Sequence, residues 1–394
     1  MVGPIDEEVA VLSFAFDDEQ EQFRKELVAF AAKELAPHYR RRAAVAEFPW
    51  DAHRRLGDLG VLGIGIPAEY GGTGDPDPIT LGMAVEALSY GDVNVGAGPI
   101  YVGLVAAQIA AHGSAEVCGE WLPRIVAGTA MVAIAVTEPA AGSDVSGLLT
   151  TARQVPGGYR ISGEKIAISH AITAQAALVY AREPGSTGHQ GISCFLVPLD
   201  ADGVERRHMP GMGALPLGWG GLAFTDVFVP DTHLVGEPGR GFAGAMSHFD
   251  FSRPAIGLAC LGAAQASIDE TVEWSLQRQA FGRPIAAFQG VTFPIAEHAT
   301  FLEAARWLCY RSLWTRDAGG AHTSYAAMCK WWPPQVAKDA IETAMVTFGN
   351  IGYSTESPLQ QRYRDVCSYL IGDGTAGIQK RIIATSLFGR VAAS

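Results

Sequence analysis

One carboxylate stands out in this sequence because of its surroundings. Asp373 lies between two glycines in IGDGTAGIQ (residues 371–379), after an apolar run and before a basic pair. Asp beside Gly is a common turn element, since its side chain accepts hydrogen bonds from nearby backbone N–H groups and Gly tolerates positive φ. It could also begin the following helix as a cap. The chemical alternative is that a carboxylate on such a turn, in an apolar pocket, acts as a base.

Motifs for other kinds of chemistry are missing from the sequence. There is no GxGxxG after a predicted strand, no Walker loop, no HExxH and no GxSxG. The ten histidines show no i, i+4 pairing, so no metal ligands are predicted. The six cysteines are scattered without CxxC spacing, which is the usage of a reduced, cytoplasmic protein.

Composition narrows the possible partners. The chain has 394 residues, a net charge of −12 and 48% hydrophobic content. An acidic protein lacks the basic footprint that nucleic acid requires, and anionic lipid is equally disfavoured. The sequence begins without a basic n-region, and no uncharged apolar run of about eighteen residues appears. We therefore expect a cytoplasmic protein that binds neither nucleic acid nor membrane.

The pattern of elements changes twice along the chain. Helical periodicity dominates the first third, where Asp17 is predicted to cap the first helix and Pro37 to end it. Short β-rich runs follow from about residue 131, and long helical segments return after VGEPGRGF. This order predicts an α+β protein of three domains, at residues 1–130, 131–240 and 241–394.

Several segments together resemble the acyl-CoA dehydrogenase family of flavoproteins. They are DDEQEQFRKEL, GIPAEYGGTG, VTEPAAGSD, ISGEKIAIS, FTDVFVP, VGEPGRGF, FDFSRP, RQAFGRPIAAFQ, TFGNIGY and IGDGTAGIQ, in the family's order over nearly the whole chain. The resemblance implies a helical N-terminal domain, a barrel- or sandwich-like β domain and a C-terminal four-helix bundle. It also implies FAD, an electron acceptor such as an electron-transfer flavoprotein, and a homotetramer or homodimer.

The same resemblance assigns residues to the cofactor. In TEPAAGSD, small residues let backbone N–H groups approach a ligand closely, and nearby hydroxyls could bond the isoalloxazine edge. Arg278 and Phe281 are placed against the FAD of a neighbouring subunit. The complete set of predicted FAD-binding residues is Ile134, Val136, Thr137, Gly142, Ser143, Ala167, Ser169, Arg278, Phe281, Phe288, Gln289, Gly349 and Thr375.

The resemblance also implies a reaction. Asp373 matches the position where most of the family carries a catalytic Glu, so it is predicted to remove the α-proton of an acyl thioester while hydride passes to flavin N5. The family polarises the thioester carbonyl with a flavin ribityl hydroxyl and the N–H of the base residue. The predicted substrate-binding residues are Ser143, Phe249, Asp250, Arg253 and Gly374, with Asp92 as a candidate second acid.

Some residues depart from the family pattern. Asp is one methylene shorter than Glu, so its oxygens retreat by roughly 1–1.5 Å unless the backbone moves. A minority of the family places its base in the segment matching 249–254, but Ser252 stands there. Ala167 replaces a Trp that covers the flavin, and Pro333–Pro334 are expected to begin a new helix. Three more flavin-side positions are altered, namely Val346, Asn350 and Gly377.

These departures favour a substrate other than a plain straight-chain fatty acyl-CoA. A branched, alicyclic or specialised acyl group is expected, carried by CoA or by an acyl carrier protein. Two alternatives remain open at this point. One is a flavin-dependent oxidase of small carbon acids such as nitroalkanes, and the other is a non-catalytic thioester-binding relative.

Overall fold

The computed structural model describes residues 15–389, except for the side chains of residues 242–248. Its elements run from helices through a β-sheet and back to helices, so the predicted α+β architecture is confirmed. The N-terminal helices pack around a core that includes Leu27, Leu56 and Trp121. They are α1 (Asp18–Phe30), α2 (Ala36–Ala43), α3 (Trp50–Asp58), α4 (Pro78–Gly91), α5 (Val93–Gly96), α6 (Gly98–His112) and α7 (Ala115–Val126).

The first helix begins where the sequence predicts, but it does not end there. Asp17 caps α1 through a reciprocal pair of hydrogen bonds with Gln20. The prediction that Pro37 ends the helix is wrong. A π-helical turn, Ala31–Leu35, leads directly into α2, and Pro37 lies in the first turn of α2. Proline is tolerated at that position because the N–H groups of a first helical turn need no intrahelical partner.

The middle of the chain forms one seven-stranded mixed sheet. Its order is β1-β4-β2-β3-β7-β6, with β5 also paired to β4. Strands β2 and β6 carry too few apolar residues for the sequence to predict them. The strands are β1 (Val132–Ala135), β2 (Thr151–Val155), β3 (Gly158–Ile168), β4 (Ala176–Arg182), β5 (Ile192–Pro198), β6 (Val204–His208) and β7 (Gly220–Pro230).

Long helices return after the sheet and pack around a second core, which also includes residues of α4. A short hairpin, missed by the sequence analysis, separates the first two of them. The elements are α8 (Gly241–Gln277), β8 (Gln279–Ala280), β9 (Arg283–Pro284), α9 (Gln289–Asp317), α10 (Thr323–Phe348), α11 (Asn350–Tyr353), α12 (Leu359–Ser368) and α13 (Ala376–Phe388).

The helix α10 runs without a break through Pro333–Pro334, so the prediction that a new helix begins there is wrong. Proline at 333 removes the N–H that would bond the Cys329 carbonyl. Gly257 of α8 lies against this point, since a Cβ there would come within 3.1 Å of that carbonyl oxygen. Both prolines are buried, and the close packing of α8 on α10 stabilises the helix despite the missing hydrogen bonds.

One stretch, Val93–His112, is long and apolar enough to cross a membrane. It comprises α5 and α6, and 83% of its most apolar window is buried inside the protein. These helices pack against α4, α7, α8 and the first strand of the sheet. A position in the protein core therefore accounts for its composition.

The cysteines are free thiols throughout, and five of the six are buried. Burial raises the pKa of the Cys194 and Cys260 thiols to about 12. Among the side chains that the structure describes, no group of three or more His, Cys, Asp or Glu is placed to hold a metal ion.

Candidate active site

Asp373 lies on a left-handed turn between α12 and α13. Its φ is +55°, a conformation that Asp tolerates better than most residues, and Gly374 follows at +93°. The fully buried Gln379 side chain donates to the carbonyls of Asp373 (2.9 Å) and Gly374 (3.2 Å). Within the described chain, the N–H of Asp373 donates to no other group. The hydrogen bonds from Gln379 to these two carbonyls thus fix the turn. The N–H and the half-buried carboxylate of Asp373 remain available to contact other groups.

Ser252 contacts the Asp373 carboxylate from another helix of the same domain. It lies on α8 and is fully buried. Its Oγ is 2.7 Å from Asp373 Oδ2 and 3.0 Å from the Phe249 carbonyl oxygen. Sequence analysis noted only that position 252 carries no acid. The contact joins residues 121 positions apart, so only the packing of the helices could reveal it.

Two tyrosine hydroxyls lie beside this turn. The Tyr101 hydroxyl of α6 is 3.4 Å from the Tyr369 hydroxyl. Burial raises the pKa of Tyr101 to about 12, hydrogen bonding to Tyr369 and Ser169 opposes this, and the charge of Asp373 adds to it. Asp373 and Ser169, a predicted cofactor residue, therefore both influence the pKa of Tyr101. No sequence motif pointed to either tyrosine.

The FDFSRP segment forms the local ion pair that its sequence allows. Arg253 Nη1 donates to Asp250 Oδ1, and Thr323 Oγ1 donates to Asp250 Oδ2 at 2.6 Å. Arg253 is nearly buried, and its Nε has no partner among the described residues. Phe249 is half-buried one residue before Asp250. The ion pair leaves the buried Nε of Arg253 without an acceptor in the part of the chain that the structure describes. The pair lies within one helical turn of Ser252, which contacts Asp373.

A buried ion pair between Lys165 and Glu138 stabilises the loop after β1. Lys165 Nζ donates to Glu138 Oε1 (2.8 Å) and to the Val136 carbonyl (3.0 Å). Glu138 also accepts the N–H groups of Leu149 and Thr150. Burial opposes ionisation of Glu138, but the hydrogen bond from Lys165, followed by those of Thr150 and Leu149, holds its pKa below the usual value. Burial lowers the pKa of Lys165 to about 8, against the attraction of Glu138.

The predicted cofactor residues of two segments, 134–143 and 167–169, lie close to each other and to this ion pair. The Thr137 carbonyl accepts the N–H of Ile166, which ties the loop to β3. Ala167 is exposed at φ +59°, in a bulge that precedes the half-buried Ser169. Gly142 and Ser143 are exposed, and a Cβ on Gly142 would meet nothing within 4 Å. Ile134 is half-buried, whereas Val136 is buried beneath the loop.

The remaining predicted cofactor residues lie on an outer surface of the helical domain. Arg278 follows α8, and its guanidinium lies over the Trp274 ring at 5.9 Å. Phe281 is 94% exposed at φ +51°, and its ring meets the Phe288 ring edge-on at 6.0 Å. Gln289 and Gly349 flank a groove between α9 and α10 that includes Gly290, Val346 and Thr347. Thr375 is exposed before α13.

Asp92 has a different set of neighbours from Asp373. Its buried carboxylate caps α5 by accepting the N–H groups of Asn94 and Val95, and Arg42 donates to it at 3.2 Å. Burial raises the pKa of Asp92 to about 6, although Arg42 opposes this. Its contacts are those of a helix cap in an ion pair, and its role as a second acid stays a prediction.

Two buried histidines lie behind the predicted cofactor residues. His170 follows Ser169, is 2% exposed and adopts φ +66°. Its ring faces Tyr101 at 5.0 Å and Phe48 at 5.4 Å, and Phe48 also meets His53. Burial lowers the pKa of His170 to about 3 and that of His53 to about 4. Both side chains are therefore neutral in the folded protein at neutral pH.

We expect the replacement His170→Asn to reduce the acid sensitivity of the fold. A histidine whose folded pKa lies below its unfolded value of about 6.5 stabilises the fold above pH 6.5 and loses that contribution as pH falls. The free energy of unfolding of the wild type should therefore fall more steeply between pH 6 and 4 than that of the variant, by about 1 kcal/mol per pH unit.

The measurement is urea unfolding at several pH values. Asn is chosen because it does not titrate there and because it tolerates a left-handed backbone. The raised pKa of Asp92 acts in both proteins and cancels in the difference. The same replacement at the exposed His208 is the control, and equal slopes for wild type and His170→Asn would contradict the prediction.

A helical domain, a mixed sheet and a second helical domain, with a carboxylate turn and an open hydroxyl-bearing loop, are the arrangement expected of a flavoprotein dehydrogenase. Three family models match the chain in order. They are the acyl-CoA dehydrogenase N-terminal domain (residues 17–129), middle domain (133–227) and C-terminal domain (239–388).

Individual relatives agree along nearly their full length. The subunit CarC of the caffeyl-CoA reductase–Etf complex of Acetobacterium woodii is 31% identical over 378 residues, covering 94% of this chain and 99% of the relative. The structure of butyryl-CoA dehydrogenase from Megasphaera elsdenii matches with a TM-score of 0.91 at 32% identity, over 95% and 100% of the two chains. The prolyl acyl carrier protein oxidase AnaB matches with a TM-score of 0.90 at 26% identity, over 95% and 100%.

This chain therefore belongs to the acyl-CoA dehydrogenase family, and it is an FAD-dependent oxidoreductase. Its residues fit the cofactor. The loop 137–143 presents exposed small residues and hydroxyls without a side chain to fill the space at Gly142, as close approach of a flavin requires. Phe281 and Arg278 are exposed on a surface hairpin, where a cofactor could cover them.

Proposed function

We propose that this protein removes two hydrogens from the α and β carbons of an acyl thioester, with Asp373 as the base. The observation that carries this proposal is the Asp373 turn, where an unused N–H and a half-buried carboxylate belong to one residue. A thioester carbonyl that accepts this N–H keeps its α-carbon close to the carboxylate. One residue can therefore polarise the carbonyl and remove the proton that this polarisation acidifies.

The roles of the other residues follow from their contacts. Ser252 orients the carboxylate, and Gln379 fixes the backbone of the turn. Asp250 and Arg253, which form a local ion pair on α8, are proposed to hold the pantetheine end of the carrier. Bound FAD would supply the hydride acceptor, N5, for the β-hydrogen. Proton and hydride together leave an α,β-unsaturated thioester.

The proposed acyl group is branched, alicyclic or otherwise specialised. Its support is the set of departures from the family pattern, namely the shorter acid Asp373 and the altered flavin-side residues Ala167, Val346, Asn350 and Gly377. The relative AnaB acts, by its name, on a prolyl group attached to an acyl carrier protein. CoA and a carrier protein are both consistent with the Arg253 region.

Further partners of the protein are proposals that rest on the family. An electron-transfer flavoprotein is the proposed electron acceptor, as the name of the CarC relative indicates for that protein. A homotetramer or homodimer is supported by Phe281, which is 94% exposed, and by the apolar side chains of Val346 and Tyr353. The cytoplasm is the proposed location, since the cysteines are free and mostly buried.

The test is to mix the oxidised protein with a panel of acyl thioesters and follow the visible flavin absorbance. We expect bleaching, with branched, alicyclic or otherwise specialised acyl groups faster than straight chains of the same length. A protein that stays colourless after reconstitution with FAD would instead be a non-catalytic relative. Rapid oxygen consumption with nitroalkanes, without an added acceptor, would favour the oxidase alternative.

A further inference from the structure

We propose that Lys330 is a positioning residue for Asp373, and that it acts through the carbonyl of Tyr369. This inference rests on the proposed function of Asp373 as the base. Lys330 lies on α10 and is only 1% exposed. Its Nζ donates a hydrogen bond of 2.6 Å to the Tyr369 carbonyl oxygen, four residues before the base.

The Tyr369 carbonyl is where α12 ends. The last carbonyls of a helix lack intrahelical partners and carry the negative end of the helix dipole, so an ammonium group is favoured there. From this point the chain folds back tightly, since Leu370 donates to the Cys367 carbonyl and Gly372 to that of Ser368. Asp373 follows directly. Lys330 therefore anchors the start of the segment that places the base.

The positive charge of Lys330 is also favoured by the carboxylate of the base. A buried ammonium is costly unless opposite charges or hydrogen bonds compensate for the lost water. Burial lowers the pKa of Lys330, and the strongest opposing influence is the Asp373 carboxylate, followed by Cys260, whereas Arg253 adds to the lowering. The ammonium thus has one backbone acceptor and one carboxylate that favour its charged form, and both belong to the same short segment.

Two helices therefore support the base from different sides. Ser252 of α8 holds the carboxylate, and Lys330 of α10 holds the backbone that precedes it. Precise support matters because a displacement of about 1 Å can cost on the order of a hundredfold in rate. Because Asp reaches less far than Glu, its side chain cannot easily compensate when the backbone of this turn is displaced.

The test compares Lys330→Met with the wild-type protein as the FAD-loaded enzyme. Met has a similar length and no charge, and because removing one partner of a buried charged contact costs stability, the fold of the variant is checked first. We expect unchanged FAD content and an unchanged Kd for an unreactive 3-thiaacyl thioester. The limiting rate constant of flavin bleaching should fall about tenfold, with a larger isotope effect for α-deuterated substrate. Lys330→Arg, which keeps charge and donors, should recover most of the rate.

Lys338→Met is the matched control, since Lys338 lies on the same helix but pairs with Asp339 and Glu342 near the surface. It should behave as the wild type. If Lys330→Met does not fold, Lys330→Gln gives the same comparison. A bleaching rate within threefold of wild type for either uncharged variant overturns the inference, as does an equal loss of rate and ligand affinity. If the wild type itself is not bleached by any thioester, the proposed function fails, and this inference fails with it.

Discussion

Asp373→Asn protein should purify with FAD bound and yet fail to bleach when mixed with a thioester that reduces the wild type. The amide cannot accept the α-proton, and loss of a general base typically costs between about a hundredfold and ten-thousandfold in rate. The turn should survive, because Asn tolerates positive φ at least as well as Asp and can still accept the Ser252 hydroxyl. The measurement is the rate constant of flavin bleaching in stopped flow.

The chain offers a matched control for this change. Asp226 also adopts positive φ (+52°), but it lies on β7 in ion pairs with Arg153 and Arg160. Asp226→Asn should reduce flavin at the wild-type rate. Bleaching by Asp373→Asn that is within threefold of wild type would show that the base is elsewhere. Asp250 would then be the first candidate, because it lies two residues before Ser252 on α8.

The features that the sequence could predict are local ones. The Asp17 cap and the change from helices to β-strands depend on residues close together in the chain, and the structure confirms them. The acyl-CoA dehydrogenase family could likewise be identified from short ordered motifs. Positive φ at Asp373 agrees with its place beside Gly374, although the sequence could not say which way the carboxylate points.

The features that the sequence could not predict depend on how distant elements pack. Ser252 of α8 contacts Asp373, whereas Lys330 of α10 and Tyr101 of α6 contact Tyr369 four residues earlier, and no spacing along the chain encodes these contacts. The error at Pro333–Pro334 has the same origin, whereas the error at Pro37 reflects a local π-helical turn. Proline disfavours helix locally, but a π-helical turn in one case and close packing on Gly257 in the other outweighed that preference.

Ser252→Ala should slow flavin bleaching about a hundredfold while FAD and an unreactive thioester bind as before. The Ser252 hydroxyl has one hydrogen and two acceptors within reach, Asp373 Oδ2 and the Phe249 carbonyl. While Asp373 is charged, the hydroxyl donates to the carboxylate. After Asp373 has taken the α-proton, its O–H can donate to Ser252 Oγ, and the serine hydrogen can turn to Phe249. The same side chain thus satisfies the base before and after proton transfer, and Ala removes both arrangements.

Ser267→Ala is the matched control, because Ser267 is another fully buried serine on α8 whose hydroxyl donates to a backbone carbonyl, that of Ala263. Both replacements remove a buried hydroxyl from the same helix, so any general effect on packing should appear in both. Only Ser252→Ala should change the rate of the chemical step and enlarge the isotope effect at the α-carbon. Equal behaviour of the two variants would mean that Ser252 contributes to the stability of α8 alone, and that the Asp373 carboxylate keeps its orientation without it.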